Sequence, residues 1–247
     1  MPTRSRKAGL RPFHPTLRRR LAAALGWTRS SYFLMSGFVA TVLVIVIVWW
    51  PLLDEAMAYI DPQRPLWFQL DWLLLGIFAG MSLLIMAGAD LRADVSIVAV
   101  GLVGGLVIES WGTQTHLWTY YTLERPPLWI LPAWPIASLS IDRLVRILCL
   151  LLPSPRPALF RSLYWLLFLP FGALLVFFVW PTLDRSLTWM ALSLCALLIL
   201  SPTDHRLAVL TFAAGSGLGY FLERWGTTRA CWTYYTGETP PLFAVFA

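Results

Sequence analysis

Long apolar runs limit most strongly what this chain can fold into. Crossing the hydrocarbon core of a bilayer takes roughly 20 residues of helix. In this chain 58% of the residues are hydrophobic and 13% are charged, whereas soluble domains carry about 25% charge. The sequence therefore predicts an all-α, polytopic transmembrane bundle of about seven spans and excludes a water-soluble globule. The predicted spans are 32–50, 71–89, 95–110, 128–151, 160–180, 186–201 and 207–222.

The basic residues predict how the bundle is oriented. The first thirty residues contain seven arginines, one lysine and no acid, and such segments stay on the cytoplasmic side. We therefore expect 1–31 to be a basic cytoplasmic segment, with the N-terminus inside the cell (inner) membrane and the C-terminus outside. The later basic residues fall on cytoplasmic ends under this assignment: Arg92, Arg143, Arg146, Arg156, Arg161 and Arg206. The net charge of +6 thus follows from topology, and no nucleic-acid partner is expected.

A motif rich in aromatic residues occurs twice. It runs from Glu109 to Leu128 and again from Glu223 to Leu242, 114 residues later, with thirteen matching residues and no gap. The shared residues read Glu-x-Trp-Gly-Thr, then Trp-Thr-Tyr-Tyr-Thr, then Glu-x-Pro-Pro-Leu. The register extends upstream to the pairs Asp90/Asp204, Arg92/Arg206, Gly101/Gly215 and Gly105/Gly219. This agreement indicates an internal duplication.

The duplication predicts a tandem four-helix repeat. We expect repeat 1 at 32–151, with four helices, and repeat 2 at 160–247, with three helices and an external motif loop. Both motif loops follow outward-going helices, so the repeat is parallel and its pseudo-twofold axis lies along the membrane normal. The second copy stops a few residues into the equivalent of the fourth helix, so we expect the last helix to be missing. A shorter match, Trp-Pro-x-Leu-Asp at 50–54 and again at 180–184, has an offset of 130 residues instead of 114. The first copy should therefore contain an insertion between its first two spans, and this insertion includes 62–67.

The glycines of the repeat have structural interpretations. Gly112 and Gly226 follow helical runs and are expected to cap them at their C-termini. The pairs Gly101/Gly105 and Gly215/Gly219 place small residues on one helix face and predict close helix contact. Many of the motif's Trp and Tyr residues lie where an aromatic belt would form at the membrane interface.

Glu109 and Glu223 are the strongest catalytic candidates. A carboxylate near a helix C-terminus faces the negative end of the helix dipole, and near the hydrocarbon edge it also loses hydration. Each glutamate should therefore be paired or protonated. A protonated carboxyl group in such a place is available as a proton donor near neutral pH. The alternative is structural, with each glutamate hydrogen-bonded to the returning loop.

Asp142 is the third candidate catalytic residue. If the fourth span begins near Leu128, Asp142 lies about 21 Å along the helix, inside the membrane. We expect Arg143 and Arg146 to reach the cytoplasmic surface and Asp142 to pair with one of them. Alternatively, a kink at Pro132 and Pro135 shifts the helix downward. Tight-turn chemistry explains the two Asp-x-Arg sequences that begin at Asp90 and Asp204.

One stretch of the first copy resembles a known family. It reads Glu109-x-x-Gly112-Thr113-x-Thr115, then Trp118-x-Tyr120-Tyr121, then Pro132-Ala133-Trp134. This is similar to the integral-membrane carotenoid biosynthesis proteins, namely the carotenoid hydratases and, more distantly, the small membrane lycopene cyclases. The resemblance implies a helical membrane enzyme, a lyase or isomerase, that protonates a polyene and then adds water or closes a ring. Glu109, and by duplication Glu223, would correspond to the acid.

Three functions remain open at this level. The first is an isoprenoid or carotenoid enzyme that applies acid catalysis to a polyene dissolved in the bilayer. Aromatic faces would hold the resulting carbocation. The expected substrate-binding residues are Trp111, Trp118, Tyr120, Tyr121, Trp225, Trp232, Tyr234 and Tyr235. The second is a noncatalytic pigment- or lipid-binding subunit with a membrane-protein partner or a second copy of the chain, and the third is a small transporter. The dispersed cysteines and histidines indicate no disulfide framework, and no metal or cofactor is expected.

Overall fold

The computed structural model describes residues 26–152 and 157–246, and these are mostly helical. The helices are α1 (Arg29–Val48), α2 (Trp50–Ala58), α3 (Trp72–Met86), α4 (Leu91–Gln114), α5 (Ala133–Leu151), α6 (Pro157–Val179), α7 (Ser186–Leu200), α8 (His205–Thr228) and α9 (Leu242–Phe246). Two short strands are β1 (Trp118–Tyr120) and β2 (Trp232–Tyr234). Single 3-10 turns occupy Leu66–Phe68, Leu128–Ile130 and Trp180–Thr182. The predicted helical class is confirmed, while most of the predicted segment 1–31 lies outside the described residues.

Within residues 26–152 and 157–246, three helices are long and apolar enough to cross a membrane. They are α1, α4 and the stretch Pro157–Thr182, which contains α6. The helices α3 and α7 are also apolar but shorter. Large apolar side chains are exposed along these helices, including Val100, Phe177 and Leu197. Such surfaces are stable against lipid and costly in water.

Aspartates start three of the helices. The side chain of Asp71 accepts a hydrogen bond from the Leu74 N–H at the start of α3. At the start of α4 the Asp90 side chain accepts from the backbone N–H of Arg92. At the start of α8 the Asp204 side chain accepts from the backbone N–H of Arg206. A carboxylate satisfies N–H groups that have no partner within the helix. The two Asp-x-Arg sequences are therefore N-caps rather than independent tight turns.

Helix bounds recur along the chain at the offset of the sequence repeat. The helix α8 begins and ends 114 residues after α4, and α7 begins and ends 114 residues after α3. The strands β1 and β2 are also separated by 114 residues. The connections before α3 and α7 differ, because α2 and a 3-10 turn precede α3 whereas one 3-10 turn precedes α7. The extra segment lies where the sequence predicts an insertion.

The two motif loops meet in an antiparallel two-stranded sheet. Thr119 pairs with Thr233 at the centre of the sheet. On either side, the Tyr121 N–H donates to the Cys231 carbonyl at 3.2 Å, and the Tyr235 N–H donates to the Leu117 carbonyl at 3.0 Å. These two bonds are equivalent under the sequence repeat, so each loop gives the other the same contact.

Helix α5 packs at the centre, against α3, α4 and α8. Its approach to α4 requires glycine. A Cβ on Gly101 would lie 2.6 Å from the Ser138 Oγ, and a Cβ on Gly105 would lie 2.3 Å from the Trp134 Cγ. The predicted close contact is therefore confirmed for this pair. The repeat-equivalent Gly215 has only an ordinary contact, at 3.8 Å.

Candidate functional site

Glu109 lies in the last turns of α4 and is almost fully buried, with 3% of its surface exposed. Its carboxylate accepts three hydrogen bonds. The Trp118 Nε1–H donates to Oε2 at 3.1 Å, and the Tyr120 hydroxyl donates to Oε1 at 2.8 Å. The Trp134 Nε1–H at the start of α5 also donates to Oε1, at 3.2 Å. The loop that follows α4 thus folds back so that its aromatic donors satisfy the carboxylate.

Glu223 has the same environment with one donor fewer. The Trp232 Nε1–H donates to its Oε2 at 2.9 Å, and the Tyr234 hydroxyl donates to its Oε1 at 3.0 Å. Among the described residues no third side-chain donor reaches this carboxylate, and Glu223 is half-buried. A carboxylate offers about four acceptor positions. Glu223 therefore keeps more unused acceptor capacity than Glu109, and a larger fraction of its residue surface is exposed.

Gly112 and Gly226 have a different role from the predicted C-terminal cap. Both lie inside helices, α4 and α8, and neither has a positive φ. A Cβ on Gly112 would lie 1.9 Å from the Trp118 ring, and one on Gly226 would lie 2.0 Å from the Trp232 ring. Each glycine thus leaves room for the indole that binds the glutamate.

The helices end instead at residues with positive φ outside them. His116 has φ 63° and Ala230 has φ 53°, at equivalent positions of the two copies. Both adopt the left-handed conformation without being glycine, which is uncommon for such residues. The chain reverses there and leads into β1 and β2. Sequence reasoning placed the reversal at the nearest glycine and therefore four residues too early.

The two glutamate clusters share one aromatic layer. The rings of Trp118 and Tyr234 lie 5.9 Å apart, as do those of Tyr120 and Trp232. Burial, together with the charge of Glu109, raises the pKa of Tyr120 well above its ordinary value. Burial and the charge of Glu223 do the same for the pKa of Tyr234. Both tyrosines therefore stay protonated and donate at physiological pH.

The other four predicted substrate-binding aromatics, two in α4 and α8 and two in the motif loops, bond to other helices. The Trp111 Nε1–H donates to the Thr188 hydroxyl on α7, at 3.2 Å. The Trp225 Nε1–H donates to Asp71 at the start of α3, at 2.8 Å. The hydroxyls of Tyr121 and Tyr235 donate to the carbonyls of Val48 and Phe178, at the ends of α1 and α6. Their polar groups are thus used within the protein.

Asp142 belongs to a separate ionic cluster. It pairs with Arg143 and Arg146. Arg143 also binds Asp94 of α4, at 2.7 Å, and both of these side chains are almost fully buried. The prediction that Arg143 reaches the surface is wrong, because Asp94 offers it a buried partner. Asp94 and Glu109 are separated by fifteen residues of one helix, or about 22 Å.

Sequence reasoning missed three residues of these sites. Trp134 was visible only as part of the family resemblance, and its role as a third donor depends on how α5 packs. Asp71 had the signal of a helix N-cap, because it precedes an apolar run. It also forms an ion pair with Arg229, at 2.9 Å. Asp94, one turn after Asp90, gave no signal that distinguished it from a solvated helix residue.

In the described part of the chain no three His, Cys, Asp or Glu side chains come close enough to hold a metal ion. The polar groups that the two motif copies bring together are two carboxylates and their Trp and Tyr donors. Comparisons with protein-family models, with curated proteins and with solved structures find no match to this chain.

Proposed function

We propose that the chain crosses the membrane seven times and consists of two copies of one helical unit, related by a pseudo-twofold axis along the membrane normal. The recurring bounds of α3 with α7 and of α4 with α8 support this proposal. So does the equivalence of the hydrogen bonds that the two motif loops exchange. The basic first thirty residues favour a cytoplasmic N-terminus in the cell membrane, with β1 and β2 outside.

Reporter fusions test this topology. Alkaline phosphatase fused after residue 246 is expected to be active, because it folds only outside the cytoplasm. Green fluorescent protein at the same position is expected to remain dark. A bright fluorescent fusion with an inactive phosphatase would contradict the proposed orientation.

We infer that the protein is an enzyme that applies acid catalysis to a polyene or related isoprenoid dissolved in the bilayer, with Glu223 as the acid. The inference depends on one observation, the difference between the two glutamates. Glu109 accepts three hydrogen bonds and is almost fully buried, which indicates a structural role. Glu223 has two donors and is less completely buried as a residue, so we assign it as the acid.

The surroundings of Glu223 suit a proton donor. In the reaction the carboxyl proton bonds to one carbon of a C=C double bond, whose π pair forms the new C–H bond and leaves a carbocation. The Trp232 N–H and the Tyr234 hydroxyl would stabilise the resulting carboxylate. Faces of the shared aromatic layer would stabilise the cation, each by up to about 2 kcal/mol. The carboxylate then removes a neighbouring proton, or water adds to the cation and loses a proton to the carboxylate; either route restores the carboxyl group.

Asp142 has no part in this proposal. Two arginines neutralise its carboxylate, and it lies on the ionic cluster of α4 and α5 rather than with the glutamates.

The matched substitutions Glu223→Gln and Glu109→Gln test the assignment. Both proteins would be reconstituted in liposomes with candidate polyenes, and product formation and thermal unfolding would be followed. Glu223→Gln is expected to abolish turnover and leave the unfolding temperature near that of the wild type. Glu109→Gln is expected to lower the unfolding temperature, because the amide NH₂ would face a buried indole N–H in either position, whereas at 223 the NH₂ can donate to the Tyr234 hydroxyl. Normal turnover in Glu223→Gln would refute the assignment of Glu223 as the acid.

A groove on the second half favours one alternative, a noncatalytic lipid- or pigment-binding protein. It lies between α6, α7 and α8, measures about 420 Å³, and is lined mainly by apolar side chains such as Phe168, Phe171 and Leu198. An apolar chain of a membrane lipid or isoprenoid fits this chemistry. Extraction of purified protein, followed by lipid and pigment analysis, tests the alternative. A stoichiometric isoprenoid that survives in Glu223→Gln, with no turnover in the wild type, would favour binding without catalysis.

A further inference from the structure

The connection between α1 and α3, together with the first residue of α3, exposes aromatic side chains to an unusual degree. Phe68 is 76% exposed, Trp72 61% and Trp67 59%. The rings of Trp67 and Phe68 lie 6.0 Å apart, and the Trp72 Nε1–H donates to the Trp67 carbonyl at 2.7 Å. We refer to these three residues as the aromatic platform. Its exposure contrasts with the motif aromatics Trp118 and Tyr120, which are buried.

Hydrogen bonds within the connection hold the platform in shape. The Gln69 side-chain oxygen accepts from the Asp61 N–H at 2.7 Å, and its amide donates to the carbonyls of Asp61 and Arg64. Asp61 and Arg64 also form an exposed ion pair. The segment is therefore a folded loop with an apolar surface, although the second half has only a 3-10 turn at the equivalent place. The fold of the repeat does not itself require this loop.

We propose that the aromatic platform is a membrane-interface anchor, seated among the lipid headgroups on the side of the bundle that carries β1 and β2. Two contacts place it on that side. The Tyr121 hydroxyl donates to the carbonyl of Val48, where α1 ends. Asp71, where the connection ends, binds Trp225 and Arg229 beside β2.

The chemistry of the aromatic platform favours insertion into a lipid interface. The connection continues directly from α1, which is apolar enough to cross a membrane, and leads into the apolar α3. Tryptophan is favoured at the boundary between headgroups and acyl chains, because the ring is apolar and its N–H is polar. Residues 50–70 contain three acids and one base, so attraction to anionic lipid does not contribute. The anchor thus depends on apolar burial and suits zwitterionic headgroups.

Fluorescence quenching in vesicles tests the proposal. In the full chain, Cys149, Cys195 and Cys231 would be replaced by serine, and Phe68→Cys would carry an environment-sensitive fluorophore. Trp67→Cys provides a second labelling site in case the first variant misfolds. Gln63→Cys is the matched control, because Gln63 is a polar, exposed residue of the same loop. The protein would be reconstituted in phosphatidylcholine vesicles.

Spin-labelled lipids and aqueous iodide would then be compared as quenchers. A label at 68 is expected to lie about 5–10 Å below the headgroup boundary. It should lose most of its emission to lipid spin-labelled near the headgroup, less to lipid labelled at the chain end, and little to iodide. The label at 63 should be quenched by iodide. Iodide quenching at both positions would overturn the proposal, and so would protection of position 68 from both quenchers, since a protein surface would then cover it.

Discussion

At Gly112 and Gly226 the absence of a single carbon atom determines how each glutamate is bound. The indoles of Trp118 and Trp232 lie where a Cβ would be, and their N–H groups thereby reach the carboxylates. The sequence predicted that these glycines are structural, but it predicted the wrong structure. A repeated Gly near a helix end commonly indicates a cap. The contact between each glycine and an indole of the returning loop has no signal in the local sequence, so it could not be predicted.

Substitution of Gly112 by alanine tests this packing. Because the new Cβ would lie 1.9 Å from the Trp118 ring, the indole must move and its bond to Glu109 must break. We expect the free energy of unfolding to fall by about 1–3 kcal/mol, measured by thermal unfolding in detergent micelles. Gly226→Ala should lower the free energy of unfolding by a similar amount, because its Cβ would lie 2.0 Å from the Trp232 ring.

Gly104→Ala is the control for this substitution. It lies in the same helix, and a Cβ there has no neighbour within 4 Å. Helix propensity alone then favours alanine by up to about 1 kcal/mol. Equal unfolding temperatures for the alanine variants at 104 and 112 would show that the indole does not occupy the predicted place.

The helical elements could be predicted from the sequence more fully than their contacts could. The predicted span 186–201 nearly coincides with α7 at Ser186–Leu200. The agreement is close because apolar runs, and the residues that end them, are local signals in the sequence. The ion pair of Asp94 and Arg143 could not be predicted, since 49 residues separate its partners. It depends on the direction in which α5 packs against α4. Ala208 occupies the position equivalent to Asp94, so the repeat gave no support for a charge there.

At the scale of the helix pair, we predict strong coupling between Asp94 and Arg143. Arg143→Met alone should cost about 3–5 kcal/mol of stability, because it leaves the buried Asp94 carboxylate without its ion-pair partner. Asp94→Ala should cost less, because Arg143 keeps Asp142 as a partner. The double variant should regain most of this loss, since an apolar pair needs no desolvated charges. A double-mutant cycle on thermal unfolding measures the coupling.

An exposed ion pair provides the comparison. Asp184 and Arg185 lie 3.3 Å apart with both side chains mostly exposed. Asp184→Ala should change stability by less than about 1 kcal/mol. Additive losses in the Asp94 and Arg143 variants would mean that these residues do not form the buried pair.

For the whole molecule, the two halves are joined by contacts that each half makes at equivalent places. Trp111 of the first half bonds Thr188 of the second, and Trp225 of the second bonds Asp71 of the first. The thirteen matched residues predict a duplication with both motif loops on one face. They do not predict that the two loops pair directly. Strands of three residues lie too far apart in the chain, and are too short, to give a periodic signal.

A disulfide across the sheet tests that pairing. Thr119 and Thr233 are direct partners in the register, and paired strand residues lie within the Cα separation that a disulfide bridges. In a cysteine-free background, Thr119→Cys with Thr233→Cys should form a bond on mild oxidation. A protease site inserted between Leu152 and Pro157 would separate the halves. After cleavage the fragments should migrate together in a non-reducing gel and separate on reduction.

A shifted pair controls for chance encounters between the loops. Thr119→Cys with Thr236→Cys lies three residues out of register, so oxidation should join few of the fragments. Equal crosslinking of both pairs would mean that the loops move freely past each other, and the sheet would then not join the halves. Selective crosslinking of 119 with 233 requires both loops on one face of the bundle, because a sheet residue cannot reach across the hydrocarbon core. The same bond therefore also tests the parallel arrangement of the two copies.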